Sequence, residues 1–259
     1  MEACLLVNDT GHVRVLTLNR PKQGNSLSLE LLEALHNEVD HLTESSSVRA
    51  VLFTGSGSSF FCSGADLKER RSMTESEAKQ TVAKIGSLFT KIENLPMPTI
   101  AAINGYALGG GLELALSCDL RIAQMEAVVG LPETTLAIIP GAGGTQRLPR
   151  LIGIGKAKEL IFTGKRLGAH EAEQYGIVEQ VVPLDDLQNT ALSICETIAN
   201  NGPLAVKAAK SAIQKGYELS IEEGLAVETA EYSTLFSTND RMEGLIAFQE
   251  KRKPQYKGE

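Results

Sequence analysis

The sequence predicts an α/β fold: a parallel sheet wound with crossover helices, followed by a region of helices alone. Three observations predict it. Strand-type and helix-type patterns alternate between residues 13 and 104. Proline or glycine punctuates each change of pattern. After Gly202-Pro203 only helical periodicity remains.

Taken in order, Val13 to Leu18 alternates and is rich in β-formers, and Asn19-Arg20-Pro21-Lys22 breaks it. Ser28 can cap the helix that follows, where Leu29, Leu32, Leu35, Val39 and Leu42 recur at helical spacing. Arg49 to Thr54 reads as a buried strand, and Gly55 to Gly64 as a small-residue loop. A second long helix starts near Thr74, where Thr74-Glu75-Ser76-Glu77 has capping-box spacing, and runs toward Leu95 until Pro96 and Pro98 stop it. Thr99 to Asn104 is a further short strand. Helical patterns over Leu204 to Lys215, Ile221 to Phe236 and Asn239 to Lys251 close the chain. Such helices need apolar partners, either the core or another subunit. The expected division is 1–200 for the core and 201–259 for a helical C-terminal region.

A chain of 259 residues suits one large domain, or a core with a smaller appendage. Net charge is −7, which argues against a nucleic-acid module, and the predicted helix from Ser28 to Leu42 is acidic, with no Lys or Arg. No apolar run reaches the ~18 residues of a membrane span. The opening MEACLLVNDTGHVRV lacks the pattern of a secretory signal. Cys4, Cys62, Cys118 and Cys195 form no CxxC pair, so they read as reduced thiols of a cytosolic-type protein and no metal is expected. The expected location is cytoplasmic, or the mitochondrial matrix where a transit peptide has been removed.

Three stretches could carry chemistry. In Ile103-Asn104-Gly105-Tyr106-Ala107-Leu108-Gly109-Gly110-Gly111-Leu112-Glu113, a strand ends, glycines follow and a helix begins. The free amides and dipole of that helix suit an oxyanion or phosphate, and Glu113 lies near the same spot. Packing alone also uses such turns. In Gly64-Ala65-Asp66-Leu67-Lys68, amides before a helix could supply another donor, or Asp66 could simply cap the helix. In Gly130-Leu131-Pro132-Glu133, a glutamate follows proline among apolar residues. Buried, its pKa would rise and suit acid–base work; exposed, it is an ordinary loop residue. P-loop, dinucleotide, serine-elbow and metalloprotease patterns are absent from the sequence.

Together these stretches resemble the crotonase (enoyl-CoA hydratase) superfamily along essentially the whole chain. Ala101-Ala102-Ile103-Asn104-Gly105 through Gly109-Gly110-Gly111-Leu112-Glu113-Leu114-Ala115 is similar to its signature. Asn19-Arg20-Pro21, Phe61-Cys62-Ser63-Gly64-Ala65-Asp66, Pro140-Gly141-Ala142-Gly143-Gly144-Thr145-Gln146-Arg147-Leu148 and the tail from Glu243 to Pro254 fall in the expected order. The resemblance implies a ClpP/crotonase-like spiral of ββα repeats with a C-terminal helical trimerisation region, assembling as trimers or dimers of trimers. It implies that the Ala65 and Gly110 amides form an oxyanion hole for a thioester carbonyl, and that Glu113 and Glu133 are the catalytic pair. It further implies coenzyme A contacts at Lys22, Gln23 and Gly24, at Ala65, Asp66, Leu67 and Lys68, and at Phe248 and Lys251.

The implied reaction is hydration of a 2-enoyl-CoA, with coenzyme A as part of the substrate and no separate cofactor. Isomerisation or decarboxylation of another acyl-CoA is the alternative, and many such relatives keep only one glutamate. Ala65-Asp66-Leu67-Lys68-Glu69-Arg70 and Leu136-Ala137-Ile138-Ile139-Pro140 resemble the methylglutaconyl-CoA hydratase-like subgroup, which acts in leucine breakdown. The acyl group is therefore expected to be short-chain enoyl or 3-methylglutaconyl.

Overall fold

A computed structural model describes residues 3–259. β1 (Leu5–Thr10) and β2 (Val13–Leu18) form an antiparallel hairpin at the edge of the first sheet. Then come α1 (Leu29–Glu44), β3 (Ala50–Gly55), β4 (Phe60–Cys62), α2 (Leu67–Ser72) and α3 (Glu75–Glu93). β5 (Thr99–Ile103), β6 (Tyr106–Leu108), α4 (Gly110–Ser117), β7 (Leu120–Gln124) and β8 (Val128–Gly130) follow. After a 3-10 turn at Glu133–Leu136 come α5 (Gly144–Ile152), α6 (Ile154–Thr163), β9 (Arg166–Gly168), α7 (Ala169–Tyr175), β10 (Gln180–Val182) and α8 (Leu184–Ala199). Beyond these the chain is helical: α9 (Pro203–Gly216), α10 (Ile221–Ser233) and α11 (Asn239–Glu250).

The strands make two sheets, one of six in the order β1-β2-β3-β5-β7-β10 and one of four in the order β4-β6-β8-β9. From β3 to β8 the chain gives one strand to each sheet in turn, which is the spiral of ββα repeats. The larger sheet is parallel from β2 onward. Alternation sets its two faces: Val51, Phe53, Ala101 and Ile103 enter the main core, while Ala50, Leu52, Ile100 and Ala102 pack under α8 with Leu187, Ala191 and Cys195. Both faces are covered, so the strands read as continuous apolar runs.

The local signals act as expected. Ser28 caps α1 by accepting from the Leu31 amide, and Thr74 and Glu77 complete a capping box on α3. Two expectations change. Leu29 is exposed, and Leu31 takes its place in the buried stripe with Leu32, Leu35, Val39 and Leu42. The stretch read as a loop between Gly55 and Gly64 contains β4, and the Gly-rich turn contains β6. These strands have three residues each, too few to show a period, and are held by parallel pairing to distant segments. Lys210 ties α9 to the core: its Nζ lies 2.7 Å from Asp119 Oδ2, which also accepts from the Thr99 amide at 2.7 Å.

Candidate active site

Two glycines bring two backbone amides together. Gly64 has φ +93°, a conformation that side chains disfavour, and a Cβ there would stand 2.9 Å from the Leu108 carbonyl oxygen and 3.2 Å from Gly110 N. Conversely, a Cβ on Gly110 would stand 3.6 Å from Ala65 N. The end of β6 and the turn into α2 are therefore in direct contact. Among the described residues neither the Ala65 nor the Gly110 amide has a hydrogen-bond acceptor. Two neighbouring N–H donors, one in the first turn of α4, are thus available to an oxygen acceptor entering between them.

Glu113 lies one turn into α4, a helix buried from Gly111 to Ser117. The residue is 3 % exposed. Its Oε1 accepts from the Ala142 and Gly144 amides, both at 2.8 Å, so the Pro140–Gly144 segment wraps one carboxylate oxygen. Arg147 holds that segment: its Nη1 donates to the Ala142 carbonyl at 3.0 Å, and its Nε and Nη2 reach the Glu93 carboxylate at 3.1 and 2.6 Å. Burial raises the Glu113 pKa above the ordinary carboxylate range, against the lowering effects of the two amides, Arg147 and Arg70.

Glu133 follows Pro132 at the start of the 3-10 turn. Its Oε2 is buried with no hydrogen-bond partner among the described residues. Burial pushes its pKa up to about 7, and the charge of Glu113 adds to the rise, while a backbone hydrogen bond and Arg70 oppose it. Gly109 makes room for it: φ is +54°, and a Cβ would meet Glu133 Oε1 at 2.9 Å. The pair is thus unequal. One carboxylate is wrapped by amides, and the other is placed to hold a proton near neutrality.

Ala65, Leu67, Gly110, Glu113 and Glu133 line one cavity of about 940 Å³, within the range of small-ligand sites. Val82, Ile85, Leu108, Leu136, Ile138 and Ile139 give it apolar walls, and Arg70 and Arg166 also border it. Lys22 and Gln23 lie on an exposed 3-10 turn beside the site, and the Gly24 carbonyl accepts from the Ser63 amide at 2.9 Å. Asp66 does cap α2, through Lys68 N, and its Oδ2 accepts from Arg20 at 2.9 Å and Ser26 at 3.1 Å. The Asp66 side chain therefore joins two loops, and the Lys68 amide is occupied. Phe248 and Lys251 are exposed on and just after α11 and do not line this cavity. The sequence named Arg70 and Arg147 only as members of motifs; their roles depend on partners far along the chain. Among the described residues no group of three His, Cys, Asp or Glu side chains is placed to hold a metal.

Residues 8–259 match the family described as enoyl-CoA hydratase/isomerase. A crystal structure of an enoyl-CoA hydratase from Bacillus anthracis superposes with a TM-score of 0.98 at 54% identity, covering 99% of this chain and 100% of that one. The mitochondrial methylglutaconyl-CoA hydratase of Mus musculus is 49% identical over 95% of this chain and 79% of its own length. The mitochondrial enoyl-CoA hydratase domain-containing protein 2 of Homo sapiens is 45% identical over 96% of this chain and 87% of its own length.

Proposed function

The chain belongs to the enoyl-CoA hydratase/isomerase family, and on that premise we propose that it adds water across the C2=C3 bond of a short 2-enoyl-CoA to give the 3-hydroxyacyl-CoA. It is a hydro-lyase. One observation carries the reading: two glutamates of unlike proton affinity face one cavity beside two amides that have no acceptor among the described residues.

The Ala65 and Gly110 amides receive the thioester oxygen. Glu113, as carboxylate, takes a proton from water while the water oxygen bonds to C3. The C2=C3 electron pair moves toward the carbonyl, and charge develops on the oxygen between the two amides. Losing one such donor typically costs ~3 kcal/mol of transition-state stabilisation. Glu133 delivers its proton to C2. Glu113 then holds one proton more and Glu133 one fewer, and transfer through solvent resets the pair. Isomerisation or decarboxylation needs only one proton carrier and leaves the second carboxyl without work.

Coenzyme A enters as part of the substrate, and the reaction needs no separate cofactor. Lys22, Gln23 and Gly24 with the Ala65–Lys68 backbone border the coenzyme A path, and Phe248 and Lys251 reach it from a neighbouring subunit. The exposed apolar side chains of α9, α10 and α11, among them Ile213, Ile221, Leu225 and Leu245, support a homotrimer or a dimer of trimers. No described helix is long and apolar enough to cross a membrane. The proposed location is the cytoplasm, with the mitochondrial matrix as the second. The acyl group is short-chain enoyl or 3-methylglutaconyl. A panel including crotonyl-CoA and 3-methylglutaconyl-CoA, followed by loss of the conjugated thioester absorbance, tests the reaction. No loss with any member overturns it.

A further inference from the structure

The cavity is bordered by a guanidinium that makes no ion pair or hydrogen bond among the described residues. Arg14, Arg20, Arg49, Arg121 and Arg147 are sheltered from water, and each is engaged with a carboxylate or a carbonyl. Arg70, in α2, is also half-buried, yet among the described residues its guanidinium has no ion-pair or hydrogen-bond partner. A sheltered, unpaired guanidinium carries a desolvation cost that an arriving anion would offset. Apolar Val82, Ile85, Leu136 and Ile138 line the same cavity. Arg70 also lies within electrostatic range of the reacting end, since its charge acts on both Glu113 and Glu133. Arg166 lines the cavity too, but it is exposed and is not among the charges acting on either glutamate.

We propose that Arg70 is the receptor for a carboxylate at the far end of a short acyl chain, so that this site selects a 2-enoyl-CoA of the glutaconyl type over one of the crotonyl type. The inference rests on the hydratase reading for its substrate but concerns binding alone. The other anions of the substrate are the phosphates of coenzyme A. The whole pantetheine arm separates them from the thioester, whereas Arg70 acts electrostatically on both reacting glutamates. A guanidinium also matches a carboxylate with two parallel donors, which an ammonium would not.

The test is calorimetric binding of two saturated, unreactive thioesters, glutaryl-CoA and butyryl-CoA, to the full chain. The wild type is expected to favour glutaryl-CoA by at least about tenfold. Arg70→Met should weaken glutaryl-CoA by about 30- to 100-fold, the scale of removing one partner of a desolvated charge pair, and leave butyryl-CoA as tight or tighter. Arg70→Lys should keep part of the preference, and Arg166→Met all of it. Arg70→Gln gives the same readout should the Met variant not fold. An unchanged glutaryl-to-butyryl ratio in Arg70→Met overturns the proposal, as does an equal loss for both. So does an equal weakening of free coenzyme A, which would assign the guanidinium to the phosphates. A wild type that prefers glutaryl-CoA but hydrates no enoyl-CoA would keep the receptor and sink the hydratase reading.

Discussion

Glu113 and Glu133 border the same cavity, yet the protein treats them in opposite ways. Glu113 rides on a buried helix and has one oxygen wrapped by two amides. Glu133 sits on a short 3-10 turn with one buried oxygen that has no hydrogen-bond partner among the described residues. Both are pushed toward protonation by burial, but Glu113 is given two amides, those of Ala142 and Gly144, that favour its charge, where Glu133 is given a single backbone hydrogen bond. The contrast teaches that the roles of two chemically identical residues are set by what surrounds them. The wrapped one can act as base, and the orphaned one as acid.

The largest expected effect breaks the comparison from both sides. Glu113→Gln keeps an acceptor for Ala142 and Gly144 but cannot take a proton from water. Glu133→Gln cannot give one to C2. Each should lower hydration by about 10²- to 10⁴-fold, the usual contribution of a positioned acid or base, while thioester binding measured by calorimetry persists. Near-normal turnover by Glu133→Gln would remove it from the chemistry.

Displacing Glu133 without altering it should come next. Gly109→Ala puts a Cβ 2.9 Å from Glu133 Oε1 at a residue with φ +54°. Moving a reacting group by about 1 Å can cost on the order of 100-fold, and turnover should fall on that scale. Wild-type rates in this variant would show that Glu133 has room to work elsewhere.

A smaller effect tests the grip on Glu113. Arg147→Ala frees the Ala142 carbonyl and breaks the contact with Glu93. A hydrogen bond involving a charged group contributes about 1.5–3 kcal/mol, so a loss in kcat of about tenfold or more is expected, with KM little changed. Arg147 also lowers the Glu113 pKa, so its removal should move the acid limb of the rate profile to higher pH. Arg147→Lys should return that limb, because it restores the charge without the fork. A uniform fall in rate with no shift of the limb would reduce Arg147 to a structural role.

Much of this arrangement could be read before folding, and the part that could not has a physical reason. Ser28 as a cap and Thr74-Glu75-Ser76-Glu77 as a capping box are signals within four residues, so they were legible. So was the strand over Val13–Leu18, where alternation spans a full element. Glu113 and Glu133 stood out as candidates because each follows a recognisable turn. The donors that separate them did not, since Ala142 and Gly144 lie 29 and 31 residues beyond Glu113. Arg70 is one letter of a motif in the sequence, and whether its guanidinium meets a partner depends on residues far along the chain.

The smallest effect concerns stability, and its sign separates the two glutamates again. Glu133 has an ordinary pKa of 4.5 unfolded and about 7 folded. Between those values the folded state binds more protons, so stability falls as pH rises. The contribution is fully present below about pH 4.5 and lost as pH climbs through about 7. Ionising a buried oxygen with no partner is what the fold resists. Glu133→Gln removes that titration while leaving a neutral side chain of similar shape. The variant should therefore gain in melting temperature over the wild type at pH 8 and show no such gain near pH 5. Glu113→Gln should gain less at pH 8, because the Ala142 and Gly144 amides and Arg147 already support its charge. Equal gains for the two variants would mean that their surroundings do not differ in the way the chemistry requires.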